Sequence, residues 1–431
     1  MSIGKIRINT DIDASKLWGN HVASTAPAIG LPIETLPFFA ISYAVGNVLA
    51  SFAEPEFIID TITLPPQSCN AAEEIYRSLV NEAGRFGVKV IGGHTGCYEG
   101  LQLPLINVTA FGRVVRPQIK PSKNDSIILA GEPMLEAQWL RWLVGLSDAE
   151  VEWRRLTPVP ILKEMLRMEE IKLAHDVSEG GIGGALEELQ EKYGLNIRLM
   201  SKRPLAELSE PSYGTVLAVT DDARGACRKL AELGHKCEII GEFGGGEPLQ
   251  ISNVSTTWEI YGMPASTFDR KLNRFSLFIK QLSRIDLKPL VPEVGMNIAY
   301  ADDASDINDI IGIDGRIVKG LNSVRFGRPA YGASRHIGYI LLELKRLGTG
   351  YRVAFNIRLS DRAIEILRKE GLNVKEVNVE DSYCPTLRMI KGTGVIADAY
   401  IERPSTGMEG GIVVLVNDLD RAIELFKKLC A

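Results

Sequence analysis

Strand-like and helix-like segments alternate along nearly the whole of this 431-residue chain, and that alternation restricts its fold more than any other feature. Lys5 to Asn9, Phe57 to Leu64, Val88 to Ile91 and Ile106 to Gly112 are short runs rich in β-branched residues. Between them, Asn70 to Phe86 carries apolar residues at helical spacing. Two periods in this order predict sheets covered by helices, an α/β and α+β multidomain architecture. The polar connection Arg116 to Asp125 holds two prolines and three basic residues and breaks the periodicity. Domains are therefore expected over 1–118, 119–257 and 266–431. In the third, Leu272, Phe275, Ile279, Leu282 and Ile285 stripe a helix predicted over Phe268 to Ile285, opened by Ser266 and Asp269. A last helix is predicted over Asp418 to Leu429.

A content of 45% hydrophobic and 24% charged residues is that of a globular chain, and a net charge of -5 gives no global basic field. General affinity for nucleic acid or an anionic membrane is not expected, so any anion site must be local. Thr35 to Ala53 is uncharged and apolar enough to suggest a membrane span. Pro37, Ser42, Gly46, Asn47 and Ser51 interrupt it without basic flanks, which favours a helix buried in a core. The six cysteines form no Cys-x-x-Cys or Cys/His cluster, so neither zinc nor a disulfide framework is expected, and a reducing cytoplasm is the expected compartment. Seven glutamines in the whole chain hint at heat adaptation.

Three stretches carry chemistry. Gly332-Ala-Ser-Arg-His336 joins a flexible turn, a hydroxyl, a fixed cation and a titratable base just before the amphipathic run Ile337 to Arg346. A helix there would turn its first free N–H groups towards an anion, and Arg335 would add a planar fork matched to phosphate oxygens. A loop arginine is most often a solvated charge and a histidine a hydrogen-bonded core residue, but the position between a glycine turn and an apolar helix favours function for Arg335 and His336. The other two stretches, Gly92-Gly-His-Thr95 and Asp176-Val-Ser-Glu-Gly-Gly181, place paired glycines after predicted strands at Val88 to Ile91 and Ile171 to Ala174. Such pairs are as often tight turns as phosphate cradles. Asp302, Asp303, Asp306 and Asp309 are more often a solvated turn with a helix cap than a metal cluster.

In their order and spacing, Ala44 to Ala50 with Ala53-Glu-Pro55, Gly92 to Thr95 and Asp176 to Gly181 resemble the aminoimidazole ribonucleotide (AIR) synthase superfamily. The resemblance covers residues 5 to 250 and implies PurM-like N- and C-terminal domains that bind ATP and magnesium in a site shared across a homodimer. It places nucleotide or phosphate at Gly92, Gly93, His94, Thr95, Asp176, Ser178, Gly180 and Gly181, and magnesium at Asp11 and Asp176. Where the family's helix usually carries an Asn-Asp or Ser-Asp pair this chain has Asn47-Val48, and the family's loop acid is replaced by His94, so ATP turnover is expected to be poor. From Val291 to Ala431, Pro292 to Ala301, Asp306 to Asp309, Gly315-Arg-Ile317, Phe326, Gly332 to Ile337, Phe355 to Arg358 and Gly407-Met-Glu409 resemble the ThiN-type thiamine-phosphate synthase domain. That likeness implies an enzyme of thiamine biosynthesis, assisted by magnesium, that joins hydroxymethylpyrimidine pyrophosphate to thiazole phosphate. Arg335 and His336 are the expected catalytic residues. Met296, Asn297, Gly332, Ser334, Asn356, Arg358 and Glu409 are expected to bind substrate. Two rivals stay open: a non-catalytic sensor of thiamine phosphates, and an ATP-dependent enzyme regulated by its third domain.

Overall fold

The computed structural model describes residues 15–16, 19–245, 247–251, 255–263, 269–321, 323–377, 384–404 and 409–431. Asp11, Ser266, Phe268, Gly407 and the strand expected over Lys5 to Asn9 lie outside them. The chain divides into two units, Met1–Phe268 and Asp269–Ala431.

The first unit holds two five-stranded sheets. One is built from β1 (Ser15–Lys16), β2 (His21–Ile29), β3 (Ala53–Leu64), β4 (Lys89–Cys97) and β5 (Leu105–Val114), in the order β1-β2-β5-β3-β4. Helices α1 (Leu36–Ala50) and α2 (Ala72–Phe86) belong to it. The other sheet is built from β6 (Ser126–Ala130), β7 (Ile171–Asp176), β8 (Ile197–Leu199), β9 (Val216–Thr220) and β10 (Cys237–Phe243), in the order β7-β9-β6-β10-β8. Its helices are α3 (Leu135–Leu143), α4 (Val159–Met165), α5 (Gly181–Tyr193), α6 (Leu205–Leu208) and α7 (Ala223–Glu232).

The uncharged stretch becomes α1, which packs against β2 and β5 on one side and against α4 and β7 on the other. Thirteen of its fifteen residues are buried, so a charge on almost any face would be desolvated. Phe39 stacks near Trp139 and Tyr213, with ring centroids 5.3 and 6.4 Å away, and full burial of such a ring contributes roughly 1.5–3 kcal/mol. Among the described residues no helix is long and apolar enough to cross a membrane. The Arg116 to Asp125 connection is likewise no loose tether. Arg116 lies 3.6 Å over the Phe52 ring and donates to the carbonyls of Met165, Leu166, Met168 and Ile171.

The cysteine reading needs correction. Cys69 bonds Cys97, and Cys227 bonds Cys237. The first pair is joined because β3 and β4 run parallel and bring the end of β4 beside the turn that leaves β3; linear spacing does not reveal such proximity. The step from unpaired thiols to a reducing compartment therefore loses its footing.

The second unit is one seven-stranded sheet between two helical layers. Its strands are β11 (Ile298–Tyr300), β12 (Ile311–Lys319), β13 (Val324–Tyr331), β14 (Val353–Arg358), β15 (Val374–Val377), β16 (Ala399–Glu402) and β17 (Gly411–Val416), in the order β13-β12-β11-β14-β17-β16-β15. Only β15 and β16 pair in parallel among the described strands of this sheet. Alternation along the strands sends Ile298, Phe355 and Val414 to one face, under α8 (Arg270–Leu282), α10 (Asp361–Lys369) and α12 (Leu419–Cys430). Ala299, Ala354 and Leu415 go to the other, under α9 (Arg335–Arg346) and α11 (Pro385–Thr393). The expected Asp269 cap is present, accepting from the Leu272 N–H at 2.9 Å.

Candidate active site

The candidate site of the second unit lies where α9 begins. β13 ends at Tyr331, and Gly332 turns the chain at φ +67° while its N–H donates to the Ile310 carbonyl. The turn fits closely over β12. A Cβ added at Gly312 would stand 2.5 Å from Cβ of Ser334, so this strand position must be glycine. Ser334 is buried at the N-cap position, where its side chain makes no capping bond, and Arg335 and His336 open the helix. Arg335 is exposed, and its guanidinium has no ion-pair partner among the described residues, whereas the His336 imidazole is part-buried where it meets Cys384.

β12 delivers a second cation. Its pairing with β13 shifts between Asp314 and Ile317, and within that bulge Gly315 and Arg316 both adopt positive φ, +81° and +60°. A left-handed arginine is sterically unfavourable, and bulges re-aim side chains. The Arg316 Nη1 donates to the Val294 carbonyl at 2.5 Å, and its charge acts on His336. The third side is the start of α11. Cys384 occupies its N-cap, and Sγ lies 2.8 Å from Nε2 of His336. Glu402 at the end of β16 accepts from the Thr386 hydroxyl at 2.6 Å and its N–H at 3.2 Å.

Burial pushes the His336 imidazole below its ordinary range, the Glu402 carboxylate pulls it back up, and Arg316 pushes it down again. At neutral pH the ring is therefore a neutral hydrogen-bonding group. Burial also pushes the Cys384 thiol up to about 11, so it stays protonated.

Most of the other expected substrate ligands form bonds within the fold. Asn297 accepts through Oδ1 from the N–H groups of Ile298 and Ile313, and donates to the Ile313 carbonyl. Asn356 accepts from Asn297 N–H and donates to the Gly295 carbonyl. Met296 is fully buried and bridges Ile317 through two backbone bonds. Glu409 accepts from the N–H groups of Glu293 and Val294 and so anchors the loop that carries the Arg316 contact. Arg358 is exposed at the end of β14, where its charge acts on Glu293. These groups hold the rim of the site, while Arg316, Cys384 and Glu402 act on His336 beside Arg335. The aspartates behave as a turn and a cap: Asp306 and Asp309 form a capping box, Asp302 pairs with Arg352, and Asp303 pairs with Lys271.

The first unit divides its expected ligands. Gly92, Gly93, His94 and Thr95 form no loop; β4 runs straight through them as an exposed edge strand paired to β3. His94 Nε2 lies 2.9 Å from the Tyr98 hydroxyl. In place of the family's acid, Val48 is buried, and Asn47 donates to Ser24 at 2.9 Å. The second glycine pair does form the expected strand, turn and helix, with Gly180 and Gly181 at φ +88° and +66°. There, a Cβ on Gly181 would stand 2.5 Å from the Glu210 carbonyl oxygen, so close packing alone requires this glycine. Asp176 is buried at the end of β7, and Ser178 accepts from the Gly181 N–H through its backbone carbonyl. One carboxylate was missed. Asp60 on β3 is 4% exposed, neither oxygen has a hydrogen-bond partner, and its carboxylate lies over the bare backbone of Gly93. Among the described residues no group of three metal-ligating side chains forms.

With this geometry in place, the chain can be compared with known proteins. The family described as thiamine-phosphate synthase ThiN matches residues 274–428. The AIR synthase related N- and C-terminal domains match 21–114 and 126–252. The chain carries a ThiN domain behind two AIR synthase-related domains. A bifunctional thiamine biosynthesis protein ThiDN of Methanocaldococcus jannaschii is 31% identical over 149 residues, 32% of this chain and 35% of that protein. The phosphoribosylformylglycinamidine synthase subunit PurL of Methanothermobacter marburgensis is 26% identical over 239 residues, 48% of this chain and 33% of that protein. The chain thus spans about a third of each of these curated relatives. Among solved structures, a HypE-HypF complex matches at 18% identity with a TM-score of 0.47, covering 54% of this chain and 87% of that one.

Sequence reasoning named two of the residues around the ThiN-domain site and missed three. Arg316 was visible in Gly315-Arg-Ile317, where a glycine before an arginine signals an unusual backbone. Nothing local to Cys384 or Glu402 points to a histidine 48 or 66 residues earlier in the chain.

Proposed function

We propose that the ThiN domain is a thiamine-phosphate synthase that joins hydroxymethylpyrimidine pyrophosphate to thiazole phosphate. The carbon–oxygen bond at the pyrimidine methylene breaks, pyrophosphate leaves with the bonding pair, and the thiazole nitrogen forms the new carbon–nitrogen bond. The observation that carries this reading is the convergence of Arg316, Arg335 and His336 at the N-terminus of α9. Two fixed cations and a helix N-terminus stabilise the charge that develops on the leaving oxygens, a preorganised electrostatic effect. Magnesium would arrive on the pyrophosphate, as it commonly does with few protein ligands. Purified protein incubated with both precursors and magnesium should form thiamine phosphate. Binding of thiamine phosphate without its formation would instead establish a sensor.

α8 packs Phe275, Phe278 and Leu282 into the core of the second unit, so a fragment over 269–431 should keep synthase activity within a few-fold of the full chain. The same comparison addresses assembly. β4 is an exposed edge, with Ile59 on the neighbouring strand and Ile91 on β4 39% and 60% exposed, and we assign a homodimer contact to this side of the first sheet. Sedimentation should then give a dimer for the full chain and a monomer for the fragment. A dimeric fragment would move the contact elsewhere.

The AIR synthase-related half is proposed to turn over ATP slowly or not at all. Buried Val48 and the Asn47–Ser24 bond leave no carboxylate at the matching helix position, and β4 offers a strand where a loop was expected. Fast magnesium-dependent ATP hydrolysis, abolished in Asp176→Asn, would overturn this and favour an ATP-dependent enzyme. A cytoplasmic location remains part of the reading. Intracellular proteins of hyperthermophiles do carry disulfides.

A further inference from the structure

We propose that Cys384 is a positioning residue for His336: its thiol donates to Nε2 and holds the imidazole in the tautomer that carries its proton on Nδ1. For its effect on turnover the inference rests on the synthase reading, but the tautomer itself is a property of the free protein.

The geometry is specific. Sγ stands 2.8 Å from Nε2, across a separation of 48 residues, because α9 and α11 start side by side on the same face of the sheet. The Sγ atom also accepts the Leu387 N–H of the first turn of α11. A thiol has one proton and a weak acceptor sulfur, so with an N–H already directed at the sulfur, its proton is best placed on the ring nitrogen. A neutral imidazole has one acceptor nitrogen, and the bond at that nitrogen sets where the ring proton resides. Were the thiol ionised, the direction would reverse. Burial keeps it protonated, with the Glu402 carboxylate acting in the same sense.

The charged groups that act on the pair come from several elements packed around it: Arg316 from β12, Lys391 from α11, whose charge lowers the thiol against burial, and Glu402 from β16; Arg335 precedes His336 on α9. Glu402 favours a protonated ring and Arg316 opposes it. Cys384 needs no nucleophilic role in this arrangement. His336 works as a neutral donor through Nδ1 beside two permanent cations, so the positive charge at the site does not depend on titration of the histidine.

The chain has five histidines, which makes nitrogen-15 spectroscopy of the full protein tractable. The His336 signals are assigned by their loss in His336→Gln. Wild-type protein at neutral pH should show a protonated Nδ1 and an unprotonated Nε2. Cys384→Ser keeps a donor and should preserve that pattern. Cys384→Ala should shift the population towards Nε2–H and raise the titration midpoint of the ring. In turnover, Cys384→Ala should lower kcat about ten-fold with little change in KM and displace the pH profile, and Cys384→Ser should recover most of the loss. A wild-type ring protonated on Nε2 would overturn the proposal without any variant, and so would an unchanged tautomer and midpoint in Cys384→Ala. If wild-type protein forms no thiamine phosphate, the synthase reading fails while the tautomer result still stands.

Discussion

Arg335→Ala and Arg316→Ala should each reduce synthase turnover by roughly 100-fold, the usual effect of removing one preorganised donor from a developing charge, or about 3 kcal/mol of transition-state stabilisation. The two differ in what else they remove. Arg335 is exposed, without an ion-pair partner among the described residues, so its loss should leave stability unchanged and act on kcat. Arg316 also donates to the Val294 carbonyl and holds a positive φ, so its loss should loosen the loop over Glu293 to Gly295 and raise KM as well. Arg346→Ala, at the far end of the same helix and paired with Glu343, removes one charge from α9 without touching the site and should leave turnover unaltered. Equal, small effects of all three substitutions would show that general positive charge, and not placement, governs the reaction.

The largest pH effect on stability should come from the first unit, at Glu136. This carboxylate is 3% exposed and accepts from the Tyr213 N–H at 2.8 Å and from the Tyr261 hydroxyl. Burial pushes its pKa up from 4.5 to about 7, against the lowering effect of those two bonds. A raised carboxyl pKa means that the folded state holds a proton the unfolded chain has already released. The stabilisation is therefore complete below pH 4.5 and is lost as pH rises towards 7. The span corresponds to about 3 kcal/mol. Glu136→Gln keeps a carbonyl oxygen for the Tyr213 N–H and presents its amide N–H to the Tyr261 hydroxyl, which can accept, but it cannot ionise, so the pH dependence of its denaturant midpoint should be flatter across that window. If the variant has the wild-type slope, Glu136 is not the group responsible. The neighbouring Tyr43, Tyr213 and Tyr261 hydroxyls stay protonated throughout, since burial raises each well above its ordinary range.

Local pattern determined the elements. The spacing of Leu272, Phe275, Ile279 and Leu282 made α8 readable, Asp269 its start, and the lack of charge from Thr35 to Ala53 the burial of α1, because each depends only on neighbours along the chain. The same local reading misjudged Gly92 to Thr95. Glycines before a histidine suit a turn, but parallel pairing with β3 gives those residues their hydrogen bonds as a strand. It could not see the bonds that Asn297 and Asn356 make to the backbone. Side-chain amides look like ligands until the backbone groups that occupy them are known. The ordered motifs from Pro292 to Glu409, read by resemblance, named the ThiN domain and placed Arg335 and His336 together at a helix start. Only the tertiary structure decided the rest: that a bulge in β12 turns Arg316 towards His336, that Cys384 and Glu402 meet it from α11 and β16, and that Asp60 is buried beneath Gly93. Those contacts join residues 20 to 66 positions apart, or lie across neighbouring strands. They arise from strand order, register and burial, which are properties of the assembled sheet and have no signature in any short stretch of sequence.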